Sequence, residues 1–223
     1  MRSNPYTLAY AAILGAVCAL LLAGASQLTA PYREANARAE EIRNILSVLE
    51  VPFSPTSSSR ELLRLFEAKV QETPRGGTTY YVYFIPGAGE SIRAVAVRFS
   101  GSGVWGPIKG FLSLEPDMKT IRGITFYEQE ETPGLGGEIQ SEWFRNQFRG
   151  KSIEDAAGNP GIRIQRGRKA SAANEVDGIS GATLTSARVE TMLKDVIGRV
   201  LEQRDRGEKY RRRLRGGGQS VPP

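Results

Sequence analysis

Residues 78–127 read TTYYVYFIPGAGESIRAVAVRFSGSGVWGPIKGFLSLEPDMKTIRGITFY. Within them Thr78–Ile85, Ile92–Phe99, Ile108–Leu114 and Ile121–Tyr127 are short segments rich in Val, Ile, Phe, Tyr and Thr. Turns such as Pro86-Gly-Ala-Gly and Glu115-Pro-Asp part them, which is strand patterning. Connections this short leave no room for crossover helices, so the strands run antiparallel as a meander. Helical patterns flank the run on both sides, and the fold class is α+β: an antiparallel sheet flanked by helices, behind one N-terminal transmembrane helix.

Working outward, Ser59-Arg-Glu-Leu caps a short helix through Val70, with Leu62, Leu65, Phe66 and the Lys69 stem turned to the core. Gln140–Phe148 reads as a helix with Trp143, Phe144 and Phe148 inward, and Gly161–Gln165 as a strand. The last long element, Thr185–Leu201, carries Val189, Met192, Leu193, Val196 and Val200 on one face. Before the sheet, no charged side chain occurs from Ser3 to Tyr32, and Tyr6–Ala30 is mostly apolar. About 20 apolar residues cross a bilayer core, so this stretch is a membrane anchor; a cleaved signal peptide ending near Ala23-Gly24-Ala25 is the rival reading. Cys18 lies mid-span as a small hydrophobe. After Pro31, Ala35, Ala39, Ile42, Leu46 and Leu49 fall on one face of a stalk helix, which Val51–Ser59 breaks. The charges around the anchor do not fix its orientation: Arg33, Arg38 and Arg43 are offset by Glu34, Glu40 and Glu41. The organisation is an anchor (1–32), a stalk and linker (33–58), a ligand-binding domain (59–203) and a basic tail without fixed structure (204–223).

The chain of 223 residues contains no His and one Cys. Ser-His-Asp and Cys-His catalysis, His-ligated metals, Cys-x-x-Cys clusters and an intrachain disulfide are thereby excluded. The net charge of +6 is mostly local: Arg199–Arg215 holds eight basic and three acidic residues, +5 of the total. The remaining body is almost neutral and has no basic stripe of the kind that binds nucleic acid.

Two loops concentrate the chemistry. Glu131-Thr-Pro-Gly-Leu-Gly-Gly-Glu138 follows a strand, and its glycines let backbone approach a ligand closely; a plain strand-to-helix loop is the alternative. Asp177-Gly-Ile-Ser-Gly-Ala-Thr-Leu-Thr-Ser186 runs into the final helix. Small residues and hydroxyls before a helix N-terminus make an anion site, or else Thr185 or Ser186 simply caps the helix. No Gly-Lys-Ser/Thr follows, so this is no Walker loop. A Ser180–Lys169 or Ser180–Lys194 hydrolase lacks the required spacing.

Asp177-x-x-Ser180-Gly-Ala-Thr183 resembles the D-x-x-(S/T)-G-A-T flavinylation signature of FMN-binding domains. The resemblance extends to the apolar anchor, the stalk EANARAEEIRNILSVL (34–49), GFLSLEPD (110–117), YEQEETPGLGGEI (127–139) and DGISGATLTS (177–186). These occur in this order in the C-subunit family of Na+-translocating NADH:quinone reductases, so the likeness covers roughly residues 5–200. The pair ETPGLGGE and SGATLTS is specific where either loop alone is not. The G-subunit family of Rnf-type ferredoxin:NAD oxidoreductases shares the flavinylated domain and is the nearest alternative.

The resemblance implies FMN joined by a phosphoester to Thr183, attached by a separate flavin transferase. The amides of Ala182–Thr185, with Ser180, Gly181 and Leu184 in the same loop, and the hydroxyls of Ser180 and Thr185 would hold the phosphate. Asp177 would shape the loop, since a carboxylate beside a phosphate is repulsive. Glu131, Thr132, Leu135 and Gly136 would line the isoalloxazine, and Trp105 would stack on it or belong to the core. The protein would relay electrons among other membrane subunits of the complex, with the amino terminus cytoplasmic and the flavin domain outside. It would not bind NADH itself, as no Gly-x-Gly-x-x-Gly follows a strand. A stand-alone extracytoplasmic flavin reductase and an anchored scaffold without flavin are the other classes. For the basic tail, contact with acidic lipid headgroups or a partner subunit is the functional expectation.

Overall fold

The computed structural model describes residues 5–85 and 91–216, with side chains to residue 206. The predicted Pro86-Gly-Ala-Gly turn and the residues after Gly216 lie outside the described residues. Contacts divide the chain at Glu40/Glu41 into two units.

The first helix, α1 (Pro5–Val48), is 44 residues long and runs on through Pro31. A proline in a helix removes the bond to the carbonyl four residues earlier but does not forbid the neighbouring ones. Predicted anchor and stalk are therefore one continuous helix. In its first unit the side chains are exposed, Leu20, Leu21 and Leu22 by more than two-thirds and Cys18 among them. This helix alone among the described residues is long and apolar enough to cross a membrane.

The second unit holds the sheet. Its strands are β1 (Val70–Arg75), β2 (Thr78–Phe84), β3 (Ile92–Ser102), β4 (Pro107–Leu114) and β5 (Ile121–Glu128). They pair in sequence order and antiparallel throughout, the expected meander with one strand more. β1, VQETPR, is not foreseen from sequence because a polar edge strand containing Pro lacks apolar alternation. Both faces of the sheet are covered, which is why Ala94-Val-Ala-Val97 is buried at every position. On one face the end of α1 (Ile42, Ile45, Leu46) and α2 (Ser59–Lys69; Leu62, Phe66) pack on Tyr81, Tyr83, Ala96 and Phe111. The cap of α2 is Ser58, in a reciprocal capping box with Glu61.

The opposite face is packed by α3 (Glu142–Asn146), the loops around it and α4 (Thr183–Gly216). Phe144 and Phe148 are fully buried there as predicted, but Trp143 is 56% exposed. Adjacent residues on a helix point about 100° apart, and with Phe144 inward Trp143 must turn out. Two short strands, β6 (Arg163–Gln165) and β7 (Glu175–Asp177), pair in parallel and deliver the chain to the start of α4. The helix begins two residues before the predicted Thr185 and its backbone continues to Gly216, so the start of the predicted tail is helical. Arg204 lies within it, ion-paired at 2.7 Å to Glu154.

Candidate functional site

Glu131 is the strut of the site. It follows β5, is only 5% exposed, and reaches two other segments with one carboxylate. Oε1 accepts from the amides of Val104 (2.7 Å) and Trp105 (3.2 Å), in the turn between β3 and β4. Oε2 accepts from the Thr185 hydroxyl at 2.5 Å, in the first turn of α4. Its own amide donates to Gln129 Oε1 at 2.6 Å. A buried carboxylate held by three donors is stable where an unpaired one would not be. Gly136 makes room for this: a Cβ there would lie 2.5 Å from Thr185 Oγ1 and 2.7 Å from Glu131 Oε2.

These bonds bring the β3–β4 turn, the Glu131–Gly137 loop and the Ser180–Thr185 loop together around a cleft of about 210 Å³. Glu131, Thr132, Leu135, Gly136 and Gly181–Thr185 line it, the residues singled out from sequence apart from Ser180 and Asp177. Val104 and Trp105 complete the wall. The rim is apolar and bare: Trp105 is 72% exposed, Leu184 68% and Leu135 43%. Trp105 is thus not a core residue. Its signal in the sequence is a Trp in a Gly-flanked turn; nothing in the sequence marks Val104.

Thr183 is the first residue of α4, its side chain exposed. The first helical bond runs from Ser186 N to Ala182 O (3.0 Å), while Ala182 N is engaged by Ile179 O (3.1 Å). The amides of Thr183, Leu184 and Thr185 therefore have no intrahelical acceptor, and no side chain among the described residues caps them. Neither Thr185 nor Ser186 acts as a cap: the Thr185 hydroxyl is given to Glu131, and Ser186 Oγ is buried without a partner. That removes the simple capping explanation for the Ser-Gly-Ala-Thr loop. It also takes Ala182 N and the Thr185 hydroxyl out of the expected phosphate donors, leaving the amides of Thr183, Leu184 and Thr185 and the exposed Ser180 hydroxyl. Gly181, at φ +75°, makes the turn that presents them.

A second cleft, of about 550 Å³, opens on the other side of Thr183. Ser180, Gly181, Asp177, Arg166, Arg168 and Lys169 are among its lining residues. Asp177 Oδ1 accepts from Ala170 N at 2.5 Å, pinning the basic loop to the Thr183 loop. Glu175 holds the same loop, accepting from Ser171 N (3.0 Å), Arg168 Nη2 (2.8 Å) and Ala172 N (3.2 Å). Those bonds, the Ser171 amide foremost and the Arg168 guanidinium next, hold its carboxyl down at about 2, against an ordinary 4.5. No hydrogen bond joins Ser180 to Lys169 or Lys194 among the described residues, so no Ser-Lys nucleophile is assembled.

A phosphate ester on Thr183 fits this arrangement. Free amides stand at the positive helix end where it begins, Arg166, Arg168 and Lys169 share the second cleft with it, the first two also paired to Glu190 (3.6 Å) and Glu175 (2.8 Å), and bare apolar side chains rim the adjoining cleft for a flat ring.

Residues 103–198 match the FMN-binding domain family. The chain is similar to the C subunit of the Na(+)-translocating NADH-quinone reductase of Yersinia pestis, 45% identical over 118 residues. That match covers 52% of this chain and 44% of the Yersinia protein, so it spans less than half the relative's length. With the C subunit of the Pasteurella multocida reductase it is 29% identical over 86% of this chain and 89% of the relative. The crystal structure of the corresponding C subunit from Parabacteroides distasonis superposes with a TM-score of 0.64 at 26% identity, over 76% of this chain and 94% of that one. The resemblance drawn from the two loops and the α+β fold are both borne out.

Proposed function

We propose that this chain is the FMN-carrying, membrane-anchored subunit of a Na+-translocating NADH:quinone reductase, its flavin esterified to Thr183. The observation that carries this reading is the uncapped start of α4. Thr183 stands at the first helical position, between a cationic cleft and one rimmed by Trp105, Leu135 and Leu184.

In this reading a flavin transferase carries FMN from a flavin dinucleotide to Thr183: the bond from the FMN phosphorus to the bridging diphosphate oxygen breaks, the nucleoside monophosphate leaves, and Thr183 Oγ1 forms the ester as its hydroxyl proton is lost. The amides of Thr183, Leu184 and Thr185 then hold the phosphate oxygens, and Arg166, Arg168 and Lys169 offset their charge. Trp105, Leu135 and Leu184 cover the ring and keep water from its faces. FMN, once bound, supplies the one- and two-electron redox chemistry. Glu131 acts through position: it fixes the relative placement of the ring-covering turn and the phosphate-holding helix. The exposed rim is where a neighbouring subunit's cofactor would exchange electrons. α1 anchors the chain in the membrane with its amino terminus cytoplasmic, and covalent attachment keeps the cofactor on a domain outside the cell interior.

The test is expression of the full chain with a flavin transferase, followed by denaturing electrophoresis. A fluorescent flavin band that persists in the wild type and is absent from Thr183→Ala is expected. A fluorescent band in Thr183→Ala contradicts the assignment.

A further inference from the structure

A further cavity lies elsewhere. It is a groove of about 770 Å³ bounded by β1, β2, β3, the turn after β4 and the 200–206 segment of α4, and it shares no residue with either cleft at Thr183.

Two residues of its wall, Tyr80 and Arg204, each carry a buried, unsatisfied donor atom, which a ligand oxygen in the groove meets once the side chain turns toward it. Tyr80 is 7% exposed, and its hydroxyl has no hydrogen-bond partner. Arg204 pairs through Nη2 with Glu154 and through Nε with Asp205 (3.2 Å), yet Nη1 is buried without an acceptor. An unpaired buried donor costs about 1–3 kcal/mol, so two on one wall are unexpected unless an oxygen from outside the chain meets them. Burial raises the Tyr80 pKa above its ordinary value of 10.0, despite the nearby Arg75 and Arg199, which keeps the hydroxyl a donor at neutral pH.

The charge of the groove selects the partner's sign. Arg75 makes no ion pair or hydrogen bond among the described residues, and Arg206 reaches Glu202 only at 3.9 Å. The single acid on the wall, Asp117, is already saturated: Oδ1 accepts from the amides of Lys119 (2.8 Å) and Thr120 (2.9 Å), and Oδ2 from the Thr120 hydroxyl (2.7 Å). The rest of the wall includes Val82, Val95, Met118 and Val200. Apolar walls with a few convergent donors, at this volume, describe a small-molecule site.

We propose that this groove binds an amphiphilic anion, a carboxylate or phosphate monoester on an alkyl body. Its oxygens accept from Tyr80 Oη and Arg204 Nη1 within the field of Arg75 and Arg206. Its alkyl chain lies on Val82, Val95, Met118 and Val200. A bare inorganic anion would leave those side chains wet, and a neutral amphiphile would leave the charge of Arg75 and Arg206 without a counter-charge. Arg204 and Arg206, assigned from sequence to a basic tail without fixed structure, thereby gain a role.

The experiment is calorimetric titration of the full chain in nanodiscs of zwitterionic lipid, with the heat of empty nanodiscs subtracted. The probes are octanoate, octyl phosphate, 1-octanol and inorganic phosphate. Saturable binding of octanoate or octyl phosphate is expected, the tighter of the two telling a fatty-acid carboxylate from a lipid-like phosphate. Tyr80→Phe and Arg75→Gln should each weaken that binding about tenfold, the loss of one hydrogen bond or charge contact to an ionised group, and Arg75→Lys should recover part of it. Tyr80→Phe should melt no lower than the wild type, because its hydroxyl has no partner within the chain. Absence of saturable binding, equal affinity for 1-octanol or inorganic phosphate, or unchanged affinity in both variants overturns the proposal.

Discussion

Glu131 spends both oxygens on protein donors, which sets what its substitution must do. Glu131→Gln replaces one acceptor by an NH2 group facing N–H or O–H donors, so a buried bond is lost and a donor left unpaired. The expected cost is about 1–3 kcal/mol by chemical denaturation, with flavinylation slowed in the same variant. Thr183→Ala, by contrast, alters an exposed side chain and should change stability by no more than about 0.5 kcal/mol. Glu175 carries a pH dependence. Its carboxyl titrates at about 2 in the folded protein and at 4.5 when released, so the stability it contributes is complete above pH 4.5 and lost as pH falls through 2. The protection factors of the Ser171 and Ala172 amides, referred to the intrinsic exchange rate at each pH and followed downward from pH 5, should fall over that window; unchanged protection to pH 2 would contradict the assignment. At this scale the sequence carries the residue types but not their partners. Glu131 is legible as a cleft residue because its loop is rich in glycine. That its carboxylate binds Val104, Trp105 and Thr185 depends on contacts 26–54 residues apart, which no local pattern encodes.

Among the elements, the end of α1 is the most informative. Glu50 sits at φ +55°, a left-handed position usually given to glycine. Val51 N closes the helix onto Leu46 O at 2.9 Å, and the Glu50 carboxylate is taken by Arg149 (2.6 Å) and by Arg122. Burial raises its pKa, but the bonds from these two arginines outweigh that and hold it below the ordinary value. Glu50→Ala keeps the unfavourable φ and loses both ion pairs, so a loss of roughly 1 kcal/mol is expected in urea denaturation, shrinking in high salt. An unchanged midpoint would show the pairs contribute nothing. Helix periodicity locates α2, the end of α1 and the core face of α4, because each has one apolar stripe. It cannot locate β1 or β7: one is a polar edge, and the other, Glu-Val-Asp, has a single apolar residue between two acids and so no alternation to read. Helix α4 starts at Thr183 because Gly181 turns the chain there, a backbone effect that apolar spacing does not register.

For the molecule as a whole, the sheet is the most legible feature, since alternating and continuous apolar runs both demand covering layers and the flanking helices supply them. The charge is legible in amount and misleading in location. A +6 chain suggests a polyanionic partner, yet +5 of it lies in Arg199–Arg215, and its first described arginines are drawn into α4 and the groove beside Tyr80. The absence of histidine, at first an exclusion, is consistent with a protein whose redox chemistry belongs to a bound flavin. The claim on which the rest depends is that FMN is joined to Thr183. The intact mass of the full chain, purified after expression with a flavin transferase, tests it directly. An increase of about 438 Da, the mass of FMN less one water, is predicted for the wild type, and none for Thr183→Ala. An unmodified wild-type mass, or the same increase in Thr183→Ala, would contradict the account.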